Sequence, residues 1–343
     1  MSKPYRYLKH FLRKSPIVLI HNITYRCNLH CTFCDLWKKK NTQAELTTEE
    51  IKGVLRQAAK LGIINYSVTG GEPLLRPDLA EGLAYAKKLG FYILLVTNGT
   101  LLTKRIADIA PYVDLLAVSL EALDERHSEL RGVKNTLERV LEGLDTARRY
   151  PIAISLNCTL NSQTIDQIDT LLEFSKEKEI GIGFEPLYNY GEVTDLTLDQ
   201  STLHAAVKKI LSYKHKNGYF ITTSEKYLRL LLGKDSFQCV GGSMVLRLSP
   251  FGEVLIPGCY WTPLLASVGS LREHPLKTLW YSKEAYQARK MMLECSDCSV
   301  PCYVEPSLTR KDLRETFYLV QGSYALKKLA KKRAQRLNAS ENL

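Results

Sequence analysis

Apolar runs and amphipathic stretches alternate along the first half of the chain. Five stretches have helical spacing of apolar residues, at about Thr47–Leu61, Pro77–Leu89, Thr103–Ala110, Asn135–Tyr150 and Thr164–Lys178. Thr47 and Glu50 have the spacing of a capping box, which predicts that the first helix begins there. Between the helices, apolar runs rich in β-branched residues predict strands at Ile17–Ile23, Asn65–Thr69, Phe91–Thr97, Leu115–Leu120, Ile152–Thr159 and Ile180–Leu187. The alternation predicts an α/β fold with a parallel sheet, either an open doubly wound sheet or a partial barrel.

Past residue 190 this alternation stops. Two further helices are predicted at Leu198–Lys214 and Ser224–Leu232, and another helical stretch runs from His274 to about Leu293. Two alternating runs, Met244–Ser249 and Glu253–Ile256, flank a glycine-containing turn and predict a β-hairpin. We therefore expect a basic N-terminal segment (1–16), a main domain (17–190), a helical linker (191–237), a small hairpin domain (238–305) and a C-terminal basic helix and tail (306–343).

Polar residues and glycines collect where the predicted strands end. Chemistry in parallel α/β folds gathers at the C-terminal ends of the strands, so these residues share one rim. The rim residues are Gly70-Gly71-Glu72-Pro73, Asn98-Gly99, Ser119, Glu121, Asn157 and Glu185.

Three thiols lie within eight residues just after the first predicted strand: Cys27, Cys31 and Cys34. One loop can thus hold three corners of an iron–sulfur cluster and leave the fourth iron without a protein ligand, where a substrate or cofactor can bind. A structural zinc site, with His30 or Asp35 as fourth ligand, is the main alternative, and buried core thiols are another.

Composition and charge narrow the class of protein. The chain has 343 residues, nine cysteines and a net charge of +11. Because the N-terminus lacks the pattern of a signal peptide and no apolar run is long enough to span a bilayer, we expect a cytoplasmic protein whose cysteines bind metal. Residues 1–16 have the pattern of a basic amphipathic helix, which fits either an anionic membrane surface or a solvated helix under the main domain. Nucleic acid is a weaker interpretation, since no binding motif accompanies the charge.

The C-terminal third carries five more cysteines: Cys239, Cys259, Cys295, Cys298 and Cys302. The predicted hairpin brings Cys239 and Cys259 toward the same end. Five thiols suffice for a four-ligand site with one to spare. A tetrahedral zinc site made of the same residues is the alternative to a cluster.

The spacing Cys27-x3-Cys31-x2-Cys34, with Phe33 before the last cysteine and Gly70-Gly71-Glu72-Pro73 after the second strand, resembles the radical S-adenosylmethionine (SAM) superfamily. The resemblance covers roughly residues 17–187. It implies a partial (β/α)6 barrel and a [4Fe–4S] cluster whose open iron is chelated by SAM.

The resemblance also implies roles for individual residues. Gly70, Gly71 and Glu72 would receive the methionine amino group, and Phe33 would lie near the adenine. Ser119 and Arg131 resemble positions that touch the ribose and the carboxylate, and Asn98 and Asn157 are further candidates for the pocket. The alternative for Arg131 is an ion pair with Glu125 or Glu129 on its own helix.

The C-terminal cysteines are similar to those of SPASM/twitch domains, which carry auxiliary clusters on a hairpin and a downstream Cys-x2-Cys loop. Full SPASM domains have seven cysteines and two auxiliary clusters, so the count here favours the twitch pattern with one auxiliary [4Fe–4S] cluster. Cys239, Cys259, Cys295 and Cys298 are the expected ligands, with Cys302 as an alternative. The cluster would either accept an electron or anchor the substrate.

These resemblances imply an enzyme that cleaves SAM to a 5′-deoxyadenosyl radical and takes hydrogen from an unactivated carbon. Its reductant would be a ferredoxin or flavodoxin. The basic termini favour a lipid or other small metabolite as substrate, and a peptide-modifying enzyme is the alternative. Glu305, Tyr303 and Tyr188 are weak candidates for acid/base or radical-path groups. A non-catalytic iron–sulfur or zinc protein that transfers electrons or binds nucleic acid is the alternative from another class.

Overall fold

The computed structural model describes residues 15–39, 43–187, 195–256, 267–296, 298–309 and 313–340. The predicted N-terminal basic helix, Tyr188 and Cys259 lie outside these residues. No helix in the described part of the chain is long and apolar enough to cross a membrane.

A nine-stranded sheet organises the molecule, in the order β6-β5-β4-β3-β2-β1-β7-β8-β9. Neighbours from β1 to β6 are parallel, which confirms the predicted α/β class, and each of these strands lies within one residue of its predicted bounds. The strands are β1 (Val18–Asn22), β2 (Asn65–Thr69), β3 (Tyr92–Thr97), β4 (Leu115–Ser119), β5 (Ala153–Leu160), β6 (Gly181–Pro186), β7 (Val245–Leu248), β8 (Glu253–Leu255) and β9 (Ser267–Ser270).

The helices between the first six strands follow the predicted alternation. Thr47 caps the first of them in the predicted capping box, with its side chain accepting from the Glu50 N–H while the Glu50 carboxylate accepts from the Thr47 N–H. Three helices in the described part of the chain were not predicted: α4 (Arg126–Leu130), α9 (Gly241–Met244) and α12 (Pro301–Thr309). The helices are α1 (Thr48–Leu61), α2 (Leu79–Lys88), α3 (Leu102–Ile109), α4 (Arg126–Leu130), α5 (Thr136–Ala147), α6 (Ile168–Glu177), α7 (Gln200–Asn217), α8 (Glu225–Leu231), α9 (Gly241–Met244), α10 (Leu276–Trp280), α11 (Lys283–Met292), α12 (Pro301–Thr309) and α13 (Leu313–Ala339).

The predicted hairpin is present, and it extends the main sheet. β7 and β8 pair antiparallel, with Arg247 opposite Leu255. β7 also pairs in parallel with β1, Val18 opposite Val245, so one sheet runs through the predicted main and hairpin domains.

The two faces of β1 belong to different apolar clusters, because successive strand side chains point to opposite faces. Leu19 packs in the main core between sheet and helices, together with Val68 and Leu95. Its neighbour Ile20 packs in a smaller cluster with Cys239 and Tyr303. β1 therefore links the main core to the region of the C-terminal cysteines.

The C-terminal helix α13 docks against residues that precede the strands. Its buried Arg333 donates to the backbone oxygens of Arg148, Ile152 and Glu179, at 2.8–3.1 Å. Lys327 lies 2.5 Å from the Asp114 carboxylate, just before β4. The basic C-terminal helix thus covers the N-terminal end of the strands.

Candidate functional site

The loop after β1 places all three of its thiols on one pocket at the C-terminal ends of the strands. Several residues expected there from the sequence do line it, whereas Glu72 and Asn157 do not. The pocket is lined by Cys27, Leu29, Cys31, Phe33, Cys34, Leu36, Trp37, Thr69, Gly70, Gly71, Val96, Thr97, Asn98, Ser119 and Arg131.

The Gly70-Gly71 turn after β2 holds the start of the cysteine loop. The Gly71 N–H donates to the Thr24 carbonyl at 2.8 Å, and the Glu72 N–H donates to the Arg26 carbonyl at the same distance. A Cβ on Gly70 would lie 2.3 Å from the Thr24 oxygen, and one on Gly71 would lie 2.1 Å from the Arg26 oxygen. Glycine is required at both positions because the two main chains approach this closely.

Glu72 is fully buried beneath the pocket instead of lining it. Its carboxylate accepts from the Thr97 hydroxyl at 2.8 Å, the Asn98 N–H at 2.8 Å and the Leu74 N–H at 2.9 Å. Burial raises the pKa of Glu72 to about 7, although these donors favour the charged form. Glu72 thus fixes the backbone after β3, and its carboxylate is already occupied by the protein.

Asn98 connects that backbone to the cysteine loop. Its amide nitrogen donates to the Asn28 side-chain oxygen at 2.9 Å and lies 4.0 Å from the Cys27 sulfur. Its amide oxygen accepts from the Thr100 N–H and hydroxyl. The loop is therefore tied to β2 by glycines and to β3 by side-chain amides.

Arg131, the residue that follows α4, holds the other half of the cysteine loop. Its carbonyl accepts from the His30 N–H at 3.1 Å. Its side chain pairs with Glu121 through Nε, at 2.9 Å, and through Nη2. The partner is thus Glu121 at the end of β4, and the interaction with Glu125 or Glu129 expected as an alternative does not form. The remaining Nη1 donates to the Cys31 sulfur at 3.7 Å, and the guanidinium lies over the Phe33 ring.

The Glu121 carboxylate is charged despite complete burial. Burial alone would raise its pKa, but Arg131 and the neighbouring His127 outweigh burial and lower the pKa to about 2. His127 Nδ1 lies 3.2 Å from the carboxylate. The buried ion pair of Glu121 and Arg131 is therefore in contact with the Cys31 sulfur through Arg131.

Ser119 lines the pocket at the end of β4, and the polar rim continues beyond it. Asn157 lies opposite Ser119 on β5, and its amide donates to the Glu185 carboxylate on β6 at 3.0 Å. Burial raises the pKa of Glu185. Asn157 and Glu185 thus form a hydrogen-bonded pair on the side of the site away from the thiols.

The thiols themselves are desolvated. Burial raises the pKa of Cys27 to about 11 and also raises the pKa of Cys34. His30, considered above as a zinc ligand, is exposed and packs edge-on against Trp37, and Asp35 pairs with Lys38. In the described part of the chain, no three His, Cys, Asp or Glu side chains converge closely enough to hold a single metal ion.

The described C-terminal cysteines gather in the small apolar cluster. Cys239 is buried there, and Cys298 and Cys302 pack against it. The Cys239 N–H donates to the carbonyl of Cys295, whose own side chain is exposed. The structure thus brings four of the five predicted ligand residues to one region, and the fifth, Cys259, lies outside the described residues.

The weak catalytic candidates have structural contacts. Tyr303 is buried over Gly241, where a Cβ would lie 2.5 Å from its ring. The Glu305 carboxylate accepts from the Ser224 N–H at 3.0 Å, at the start of α8. Sequence reasoning missed Trp37, whose Nε1 donates to the Cys31 carbonyl at 3.3 Å. Its position three residues after Cys34 is the only sequence signal for it.

Two family models match the chain along most of its length. One, described as the radical SAM superfamily, matches residues 21–175, and the other, a domain of unknown function (DUF3463), matches residues 182–321.

Curated relatives and a solved structure agree with these matches. An AdoMet-dependent heme synthase of Methanosarcina barkeri is 28% identical over 305 residues, which cover 80% of this chain and 85% of the relative. A PqqA peptide cyclase of Rhizobium meliloti is 27% identical over 295 residues, 80% of this chain and 76% of the relative. The fold resembles that of Streptococcus suis SuiB bound to SAM, with a TM-score of 0.69, 20% identity and coverage of 82% of this chain and 70% of that one.

A partial barrel with three thiols at its C-terminal rim, together with the family match over residues 21–175, defines the class as an enzyme with an iron–sulfur cluster and SAM. Residues 21–175 match the radical SAM superfamily model, and the resemblance to radical SAM enzymes with a SPASM/twitch-like C-terminal region, expected from the sequence, is confirmed. The fold and the cofactors expected from the sequence are confirmed: a [4Fe–4S] cluster with SAM and an auxiliary cluster. The activity is that of a radical SAM enzyme.

Proposed function

We propose that Cys27, Cys31 and Cys34 hold the SAM cluster and that the surrounding pocket binds SAM. The single observation that carries this proposal is that all three thiols line the same pocket as Gly70 and Gly71. When bound, the cluster and SAM would together supply one-electron chemistry, namely reductive cleavage of SAM and abstraction of a hydrogen atom from the substrate.

The residues present fit this pair of cofactors. Three thiols from one loop leave one corner of a four-iron cluster open, and the buried thiols lose their protons on ligation. The Gly70-Gly71 turn lies on the pocket wall, where no side chain would keep a ligand ammonium from the backbone. Ser119 and Asn98 add hydrogen-bonding groups for the ribose, and the Phe33 ring offers an apolar face for the adenine.

Cys239, Cys295 and Cys298 would hold the auxiliary cluster, with Cys259 as the fourth ligand or Cys302 in its place. The support is that Cys239 and Cys298 share one apolar cluster and that a main-chain hydrogen bond joins Cys239 to Cys295. Thiolates in apolar surroundings suit an iron–sulfur cluster. Residues 238–305 would then act as the auxiliary-cluster domain, joined to the barrel through β7.

For the substrate, we propose a peptide or protein side chain. The relatives named above include a peptide cyclase and a heme synthase, and neither name supports the lipid that the basic termini suggested. The Asn157–Glu185 pair supports a peptide because its amide and carboxyl groups can bond main-chain amides. A tetrapyrrole is the second candidate, favoured by the heme synthase match.

The first test is reconstitution of the chain with iron and sulfide under anaerobic conditions. We expect roughly eight iron atoms per chain, from two four-iron clusters, and formation of 5′-deoxyadenosine from SAM after chemical reduction. Zinc in place of iron, or an intact reduced cluster that leaves SAM uncleaved, would contradict the proposal and favour a non-catalytic protein.

The second test compares three substrate classes in the same assay. The probes are a synthetic peptide library deuterated on its side chains, an iron porphyrin with propionates, and vesicles of deuterated anionic lipid. Deuterium appearing in 5′-deoxyadenosine only with peptides supports the proposal. Transfer from the porphyrin or the lipid instead overturns it and identifies the substrate class.

A further inference from the structure

The side chain of Arg131 is already paired within the protein, which is not what is expected of an arginine that binds the carboxylate of a ligand. An arginine recognises a carboxylate with two parallel N–H groups of its planar fork. Here Nε and Nη2 are already used by Glu121. The pair is buried, with the Glu121 side chain fully enclosed and the Arg131 side chain 9% exposed. Breaking it to admit a ligand would leave Glu121 as an uncompensated buried charge.

The third nitrogen of the guanidinium faces a cluster ligand. Arg131 Nη1 lies 3.7 Å from the Cys31 sulfur, within the range for a hydrogen bond to sulfur. The Phe33 ring, 5.3 Å from the guanidinium carbon, and His127 beside Glu121 restrict movement of the pair. Because the Arg131 carbonyl also accepts from His30 in the same loop, one residue fixes both the main chain and a thiol of the cysteine loop.

We propose that Arg131, oriented by Glu121, is a positioning residue that donates to the Cys31 thiolate and sets the reduction potential of the SAM cluster. This inference rests on the proposed function, in which Cys31 is a ligand of that cluster. A donor to a ligand sulfur and a positive charge beside it both stabilise the reduced cluster, which carries one more negative charge. Arg131 therefore raises the potential, and Glu121 partly offsets this increase.

The two members of the pair predict opposite effects, which separates an electrostatic role from a merely structural one. Arg131→Gln removes the positive charge and leaves Glu121, so the midpoint potential of the SAM cluster moves to a more negative value. Glu121→Gln removes the negative charge and leaves Arg131, so the midpoint moves to a more positive value. Arg131→Lys keeps the charge and restores part of the first shift.

The experiment is an EPR-monitored redox titration of the reconstituted chain, with the SAM cluster identified by the change in its signal when SAM is added. Arg126→Gln is the matched control. It lies at the start of the same helix and pairs with Asp124 and Asp166 away from the cysteine loop, so its midpoint should equal that of the unmodified chain. Binding of SAM to each variant is measured separately by equilibrium dialysis.

Opposite shifts, with SAM affinity changed far less than tenfold, support the proposal. Equal midpoints together with a loss of SAM affinity of roughly tenfold or more in Arg131→Gln would show a carboxylate-binding role and overturn it. Shifts of the same sign in both variants would indicate general disturbance of the loop and also overturn it. Because the unmodified chain is assayed for SAM cleavage alongside, failure of this inference is distinguished from failure of the proposed function.

Discussion

Two buried carboxylates beside the pocket differ in charge because their neighbours differ. Glu72 has three uncharged hydrogen-bond donors, and burial raises its pKa to about 7. Glu121 has Arg131, which lowers its pKa to about 2 against the effect of burial. The sequence indicated that both lie on the rim, but not which partner each would have. The alternative partners of Arg131, Glu125 and Glu129, lie six and two residues before it, and residues at these spacings do not face each other on a helix.

Replacing Glu72 by Gln is expected to destabilise the fold at pH 4, where the carboxyl group is protonated in both the folded and the unfolded chain and its raised pKa adds no cost of ionisation. An amide group offers one oxygen in place of two, so its nitrogen would face the N–H of Asn98 or of Leu74. An unsatisfied buried donor of this kind costs about 1–3 kcal/mol in the free energy of unfolding. Urea denaturation of the chain without cofactors measures the loss.

The control for this prediction is Glu81→Gln, an exposed residue of α2 that pairs with Lys52. Its unfolding free energy should change by less than about 1 kcal/mol. Equal stability of Glu72→Gln and the unmodified chain would show that the three hydrogen bonds around Glu72 do not hold the turn in place.

At the scale of elements, local pattern predicted most of the barrel. Apolar runs rich in β-branched residues identified β1 to β6, and the Thr47 and Glu50 side chains correctly marked the start of α1. The parallel pairing of β1 with β7 could not be predicted, because periodicity describes a strand but not a partner more than two hundred residues away. The same applies to α13, whose basic sequence gave no sign that Arg333 would be buried.

Arg333→Ala should weaken the docking of α13 strongly. The change leaves three backbone oxygens without their donor and opens a cavity, and we expect a loss of about 2–4 kcal/mol in the free energy of unfolding. Hydrogen exchange of α13 should rise in parallel. Lys332→Ala is the matched control, since this neighbouring side chain is exposed. If both variants were equally stable, the contacts of Arg333 would not be what anchors the helix.

At the scale of the whole molecule, the two sets of cysteines lie at different positions along β1. The first set follows the end of β1, whereas Cys239 and Cys298 pack with Ile20 in the middle of it. The first set was predictable from spacing alone, because its three thiols are close in sequence. The partners within the second set depend on how the chain folds back after residue 237, which local pattern does not describe.

The first set of cysteines is expected to be needed for SAM cleavage, and the second set for formation of the product. Cys31→Ala should abolish SAM cleavage, because one corner of the SAM cluster loses its ligand. Cys298→Ala should retain some cleavage while losing product, because only the auxiliary cluster is affected. Iron content, 5′-deoxyadenosine and product are measured together. Equal loss of SAM cleavage in both variants would contradict this division.

The pairing of β1 with β7 also determines the order in which the molecule can be assembled on the ribosome. β1 and β2 are made early, but the second edge of β1 stays open until residues 245–248 have emerged. An open strand edge is a site where chains can aggregate, so the nascent protein is prone to aggregation until β7 has been synthesised. During that interval the loop carrying Cys27, Cys31 and Cys34 already exists, while Cys295, Cys298 and Cys302 have not yet been synthesised.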